Sequence, residues 1–454
     1  MSSVKLWFGE ALLPEGWARD VRIAVADGRI ARIETGVARA AGDEAHAVAV
    51  PGMPNLHSHA FQRGMAGLAE VRGPSGDSFW TWREVMYRFV ERLDPDAFEA
   101  IAQMAYVEML EAGFTRVGEF HYLHRDPSGA PYGNSAEMAA HVAAAAEATG
   151  IGLTLLPVFY AHSGFGGQPP KPSQKRFIHD TDGFARLLVE SRKAVVGLPD
   201  AVVGVAPHSL RAVTAEELEA VAALAGGAPV HIHIAEQMKE VEDCLAWSGK
   251  RPVEWLLDRE LINERWCLVH ATHMTDVEKK SVARSGAVAG LCPITEANLG
   301  DGVFPGEDFL GAKGRFGIGS DSNVMIDVAE ELRLLEYGQR LVHRGRNLLA
   351  SREGASTGGD LYRAALRGGA QALGADDGAL KIGGSADIVS LDTTQPSLTN
   401  RMGDALFDGW LFAARSGAVD CVWRQGRKIV VGGRHVAREQ IVNRYRLTLA
   451  KVLG

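Results

Sequence analysis

The sequence predicts an α/β protein, a (β/α)8 TIM-like barrel joined to a small β-sandwich domain built from both chain ends. Three observations lead there. Eight short runs rich in Val, Ile and Leu alternate with helix-like stretches through the middle of the chain. Nearly every run ends in a polar residue. Both chain ends alternate apolar and polar positions around glycines.

Residues 1–50 open the small domain, and "DVRIAVADGRIARIE" reads as a hairpin across Asp27-Gly28. Residues 385–454 close it, with "ADIVSLD" and "CVWRQGRKIVVGGRHV" repeating the pattern. The barrel, 51–384, starts from the run "VAVPGMPNL" and continues through "RVGEF", "GLTLLPVFY", "VVGVAPHS", "PVHIHIAE", "RWCLVHATH", "AVAGLCPIT" and "FGIGSDSN". Helices fill the intervals. In "DPDAFEAIAQMAYVEMLEAG", Asp94 stands at the N-cap, Pro95 just inside and Gly113 at the end.

A chain of 454 residues exceeds most single cores, in line with a large domain and a smaller companion. The net charge of −8 argues against a general nucleic-acid or anionic-membrane binder, yet leaves room for a small acidic ligand. The N-terminal stretch lacks the basic start and apolar core of a secretory signal. The most apolar window, "HVAAAAEATGIGLTLLPVFYA", contains Glu147 and reads as a helix followed by a buried strand. Cys244, Cys267, Cys292 and Cys421 are far apart with no C-x-x-C pair, so no disulfide framework is expected and the cytoplasm is the expected compartment.

In "PGMPNLHSHAFQRGM", His57 and His59 flank Ser58, and strand alternation puts both imidazoles on one side. The spacing alone fits a shared metal ion or two polar residues at a strand terminus. The other strand ends favour the metal. They carry Glu119 to Tyr122, Tyr160 and His162, His208, His233 and Glu236, His270, Thr295 and Asn298, and Asp321. In such barrels the C-terminal strand ends line the active site. His57, His59, His233 and Asp321 offer the nitrogen and oxygen donors that one zinc needs. His231 shares a strand face with His233 one layer deeper, and reads as a hydrogen-bonded core histidine. His273 reads as a loop residue. Glu236 suits a general base that later acts as acid, or an acid favouring a helix N-terminus. His270 would hydrogen-bond the metal's water or serve as a fifth ligand.

"PNLHSHAFQRGM", "HIAE", "VHAT" and "GSDS" together resemble the amidohydrolase superfamily, over essentially the whole chain. The fourth strand lacks the lysine used for a carbamate bridge between two metals, so the resemblance implies a mononuclear site. The H-x-E with P-C-x-x-C pattern of the other zinc deaminases is absent. Within the superfamily, "HAFQRGMAGLAE", "TWREVMYRF", "GEFHYLHR" and "CPITEANLGDG" are similar to the formimidoylglutamate deiminases of histidine degradation. That similarity implies hydrolysis of N-formimidoyl-L-glutamate to N-formyl-L-glutamate and ammonia. It implies one Zn2+ per chain on His57, His59, His233 and Asp321. Metal-bound hydroxide would attack the formimidoyl carbon, with Glu236 as proton shuttle and His270 beside the water. It also implies substrate contacts from Gln62, Arg83, Tyr122, His208 and Arg211, a small dicarboxylate as partner, and a homodimer without nucleic acid or membrane. Two guanidinium forks suit two carboxylates, although each arginine alone reads more readily as a surface residue. The alternatives are a superfamily deaminase or chlorohydrolase acting on a purine or other heterocycle, and a non-catalytic scaffold barrel.

Overall fold

Strands β1 (Val4–Leu13), β2 (Gly16–Ala26) and β3 (Arg29–Glu34) form an antiparallel meander, and β4 (Glu44–Pro51) returns parallel to β1. Asp27 and Gly28 turn β2 into β3 with φ of 51° and 78°, the doubly left-handed turn whose twist matches its flanking strands. The structure, a computed structural model, describes residues 4–73, 78–376, 378–415 and 417–454. Residues 1–3 of the predicted N-terminal segment lie outside the described residues.

The barrel strands follow: β5 (Met53–Ser58), β6 (Phe114–His121), β7 (Gly152–Phe159), β8 (Val202–Val203), β9 (Ala206–Pro207), β10 (Val230–Ile234), β11 (Trp266–His270), β12 (Val288–Leu291) and β13 (Arg315–Ile318). All ladders among them are parallel. The run near 202 is split, with β8 pairing to Thr154 and Leu155 and β9 to Val158 and Phe159. Parallel bridges from Val205 to Val230, Ser209 to His233 and Ser58 to Asp321 close the two remaining seams. The side chains of β5, β6, β7, β10, β11 and β12 are buried throughout, as expected for strands with helices outside and packed side chains within.

Helix α1 (Phe79–Val90) lies in the long connection after β5, and α2 (Pro95–Glu111) precedes β6. The Asp94 carboxylate accepts from the Ala97 amide at 2.7 Å and Pro95 takes the first helical position, so α2 starts where its capping residues predict. α2 is apolar almost all round because a final helix, Arg438–Leu453, covers its outer side. Ile441 packs on Met104 and Val107, and Arg444 reaches Glu99 at 2.5 Å.

The chain ends meet in one sheet. β14 (Ile388–Leu391), β15 (Val419–Arg424), β16 (Arg427–Val431) and β17 (Arg434–His435) join in the order β17-β16-β15-β14-β4-β1-β2-β3. Leu6, Phe8, Ile23, Ile388 and Trp423 share its apolar core. An ion network around two buried arginines ties this sheet to the barrel: Asp200 accepts from Arg116 of β6 and Arg424 of β15, and Arg424 also reaches Asp387 at 2.8 Å. Among the described residues no helix is long and apolar enough to cross a membrane, and the four cysteines are free and buried.

Candidate active site

His57 lies one residue before the end of β5 and His59 one residue beyond it, His233 sits in β10, and Asp321 lies just beyond β13. One donor atom from each of these four falls within 4.8 Å of the others. The Nε2 atoms of His57 and His233 are 3.0 Å apart. Asp321 Oδ1 lies 3.4 Å from His57 Nε2 and 3.2 Å from His59 Nε2. His59 Nδ1 donates to the Phe120 carbonyl at 2.9 Å and His233 Nδ1 to the His208 carbonyl at 3.1 Å. Those bonds fix the tautomer and leave each Nε2 lone pair facing inward, as a metal-ligating imidazole requires.

The electrostatics agree with a cation-binding set. Burial pushes the His57 imidazole down to about 3 and lowers His59 and His233 as well, so the rings are neutral. Burial would raise Asp321, but His57, His59 and His270 outweigh it and hold the carboxyl well below its ordinary value. Three neutral imidazoles and one carboxylate, all deprotonated and convergent, fit a single divalent ion. Gly319 makes the approach possible, since a β-carbon there would lie 2.7 Å from the His57 carbonyl oxygen and 2.8 Å from its nitrogen.

Glu236 and His270 flank this cluster. His270 Nε2 lies 3.8 Å from Glu236 Oε1 and 3.8 Å from Asp321 Oδ2. Burial raises the Glu236 carboxyl above its usual range, against the opposing pull of His270 and Arg211. For His270 burial acts downward, but Glu236, Glu296 and Asp321 prevail and push it up to about 10. Ala235, His270 and Asp321 have φ of 50°, 67° and 42°. Left-handed backbone at such residues costs about 1–3 kcal/mol each and persists only where surrounding structure enforces it.

Gln62, Arg83, Tyr122, His208 and Arg211 line the same cavity as His59, His233, Glu236, His270 and Asp321. His57 lies fully buried behind its rim. Gln62 Nε2 donates to the Tyr122 hydroxyl at 2.9 Å, leaving its own carbonyl oxygen buried without a partner. The His208 ring stands 4.9 Å from that of His233 and 4.6 Å from that of Tyr160. Arg83 donates to the hydroxyls of Tyr87 at 2.5 Å and Tyr160 at 3.1 Å. Arg211 Nη2 is 4.0 Å from Glu240, and its Nε is buried without a partner.

His231 is a core residue, its Nε2 donating to the Ala372 carbonyl at 2.7 Å. His273 hydrogen-bonds the Asp301 carbonyl at 2.8 Å. Asn298 does not join the circuit of strand-end residues, because its amide turns outward to Glu70 at 2.8 Å. Sequence reasoning passed over Glu296, whose carboxylate accepts from His270 Nδ1 at 3.2 Å and from the Cys292 amide at 2.9 Å. An acid in the first turn of the Pro293–Leu299 helix reads as a response to the helix dipole, and only its four-residue distance from Cys292 hints otherwise. Also missed was the Asn55–Ser320–Asn323 network, in which Asn323 Nδ2 donates to the His59 carbonyl at 3.1 Å.

Comparison with known proteins places this geometry. Residues 48–429 match the family described as "Amidohydrolase family". The chain belongs to the amidohydrolase family. Residues 6–47 match "Formimidoylglutamate deiminase HutF, N-terminal domain". This amidohydrolase is 52% identical over 447 residues to the formimidoylglutamate deiminase of Pseudomonas aeruginosa, covering 98% of each chain. It is 27% identical to a 5-methylthioadenosine/S-adenosylhomocysteine deaminase of Natronomonas pharaonis, over 97% of this chain and 94% of that one. An amidohydrolase structure from Brucella melitensis superposes with a TM-score of 0.97 and 58% identity, over 99% of this chain and 100% of that one. An adenosine deaminase from Xanthomonas campestris with bound zinc gives a TM-score of 0.81 at 23% identity, over 99% and 98% of the chains, and shares the fold.

Proposed function

We propose that this protein hydrolyses N-formimidoyl-L-glutamate to N-formyl-L-glutamate and ammonia, with one zinc ion held by His57, His59, His233 and Asp321. The observation that carries the reading is a juxtaposition in one cavity. Glu236, His59, His233 and Asp321 share it with two guanidiniums, Arg83 and Arg211, that have no described carboxylate closer than 4.0 Å. The 52% identity to a formimidoylglutamate deiminase over nearly the full chain supports the same choice.

A bound divalent ion supplies Lewis acidity, lowering the pKa of water from about 16 to about 7. The chain's residues do the rest. Arg83 and Arg211 take the two carboxylates and hold the substrate in the cavity beside the cluster. The unpartnered Gln62 oxygen accepts from the amidine N–H, with Tyr122 holding the Gln62 amide. Glu236 Oε1 takes a proton from the attacking water and returns it to the terminal nitrogen. A second proton passes by the same carboxylate from the new hydroxyl to that nitrogen, the carbon–nitrogen bond breaks, ammonia leaves, and the carbon keeps the new oxygen as formyl. His270, oriented by Glu296, donates from Nε2 to the oxygen developing charge.

Ammonia release by purified, zinc-loaded protein tests this reading. Formimidoylglutamate is expected to be turned over in preference to adenosine derivatives and triazines. Glu236→Gln is expected to lower kcat by roughly 10^2–10^4 with metal content unchanged. Turnover of a nucleoside without turnover of formimidoylglutamate overturns the substrate assignment, and near-normal kcat in the variant removes the proton role.

A further inference from the structure

Arg83 and Arg211 reach the cavity from different elements. Arg83 lies on α1, and Arg211 lies in the turn after β9. What they share is Trp80. The Arg83 guanidinium carbon stands 5.7 Å from the Trp80 ring centroid, and so does that of Arg211. The Tyr87 ring, one turn further along α1, also approaches Arg83, at 5.2 Å. Trp80, Arg83 and Arg211 line an outer chamber, while both arginines also line the inner cavity that holds Glu236 and Asp321. One indole thus backs two cations on the outward side.

Two guanidiniums repel each other; the Tyr87 and Tyr160 hydroxyls hold one side of Arg83, whereas Arg211 has Glu240 only at 4.0 Å. The face of an indole is electron-rich and attracts both without neutralising either. Local structure fixes the backbone that carries the indole: the Ser78 hydroxyl accepts from the Trp80 amide at 3.3 Å, and the Thr81 hydroxyl accepts from the Ser78 amide at 3.0 Å. Together these caps hold the first turn of α1.

We propose that Trp80 is a positioning residue that sets the separation of Arg83 and Arg211 and thereby selects a ligand with two anionic groups over one with a single anionic group. The proposal rests on the reading that these two arginines receive the substrate carboxylates. It extends that reading to a residue with no expected substrate contact. Because Trp80 acts on binding and not on the donor cluster, its loss is expected to appear in KM and leave kcat in place.

The test compares wild type, Trp80→Phe and Trp80→Ala as full-length zinc-loaded protein. Calorimetry with glutarate and butyrate reads the preference for two charges, and ammonia release from formimidoylglutamate reads KM and kcat. Trp80→Ala is expected to weaken glutarate binding and raise KM by roughly tenfold each, with kcat and butyrate binding within about twofold. Trp80→Phe, which keeps an aromatic face, is expected to recover most of the loss. Unchanged glutarate affinity in Trp80→Ala overturns the proposal, as does a parallel fall of kcat and thermal midpoint in both variants. A wild type that prefers glutarate through Trp80 but releases no ammonia from formimidoylglutamate retains the clamp and removes the function above. A wild type with no glutarate preference removes the clamp.

Discussion

Asp321 and His57 are joined twice, once through the backbone and once through their side chains. The Asp321 amide donates to the His57 carbonyl at 2.9 Å, and Asp321 Oδ1 lies 3.4 Å from His57 Nε2. The His59 amide then donates to the Asp321 carbonyl, also at 2.9 Å. The seam that closes the barrel between its last and first strands is therefore the same structure that sets donor spacing. Groups held this way lose little entropy when a cation arrives, which is what a preorganised centre needs.

Asp321→Asn separates these two connections. The backbone bridge stays, so the fold is expected to persist, while the anionic donor is lost. Metal content after dialysis, read by elemental analysis, should fall below one per chain, with activity falling in parallel. A bound metal at about 100 times its Kd contributes about 2.7 kcal/mol to stability. Chelation should therefore lower the thermal midpoint of wild type and leave Asp321→Asn nearly unmoved. A variant that keeps its metal stoichiometrically would exclude Asp321 from the ligand set.

Glu296→Gln tests the orientation of His270. The carboxylate that accepts from His270 Nδ1 at 3.2 Å becomes an amide that still accepts but no longer stabilises positive charge on the ring. Loss of an orienting carboxylate behind a working imidazole typically costs 10–100-fold. That loss is expected in kcat, with KM and metal content held. A change confined to KM would place Glu296 in substrate binding instead.

Much of the site was legible because its residues obey local rules. His57 and His59 share a face by strand alternation, and His233 is separated from His231 by one layer of the same strand. The strand ends could be found one by one, and barrel closure brings them together. The parts that escaped depend on three-dimensional neighbours. The two-guanidinium contact of Trp80 joins α1 to a turn 131 residues later, and no local pattern encodes it. The union of the two chain ends was expected, but not its register, which sets Val389 of β14 against Val50 of β4. The final helix Arg438–Leu453 buries few of its own residues, so its sequence gives little sign that it covers α2.

The ion network between barrel and sheet predicts a pH dependence. Burial would raise the Asp200 carboxyl, but Arg116 and Arg424 outweigh it and hold it below its ordinary value. A carboxylate depressed by folding stabilises the protein above its unfolded pKa of about 3.9, and that contribution disappears as pH falls through the folded value. Asp200→Asn should cost about 1–3 kcal/mol at pH 7, the carboxylate being partly exposed. In denaturant titrations the gap between wild type and variant should be constant from pH 6 to 8 and close below about pH 4. A gap that persists in acid would assign the loss to packing.

Gly319→Ala joins fold and site in one measurement. The added methyl would meet the His57 carbonyl oxygen at 2.7 Å, its nitrogen at 2.8 Å and its Cβ at 2.9 Å. All three belong to a residue pinned on both sides by the closing seam, so relief requires His57 to move. Overpacking of this kind typically costs 1–3 kcal/mol, and here the displacement falls on a metal donor. Both the denaturation midpoint and the metal content should drop. Gly311→Ala provides the contrast, because a β-carbon there meets nothing within 4 Å at the end of a helix. That change should be neutral or raise stability by about 0.4–1 kcal/mol through the unfolded chain. Equal behaviour of the two variants would mean that the first and last strands do not constrain His57 in solution.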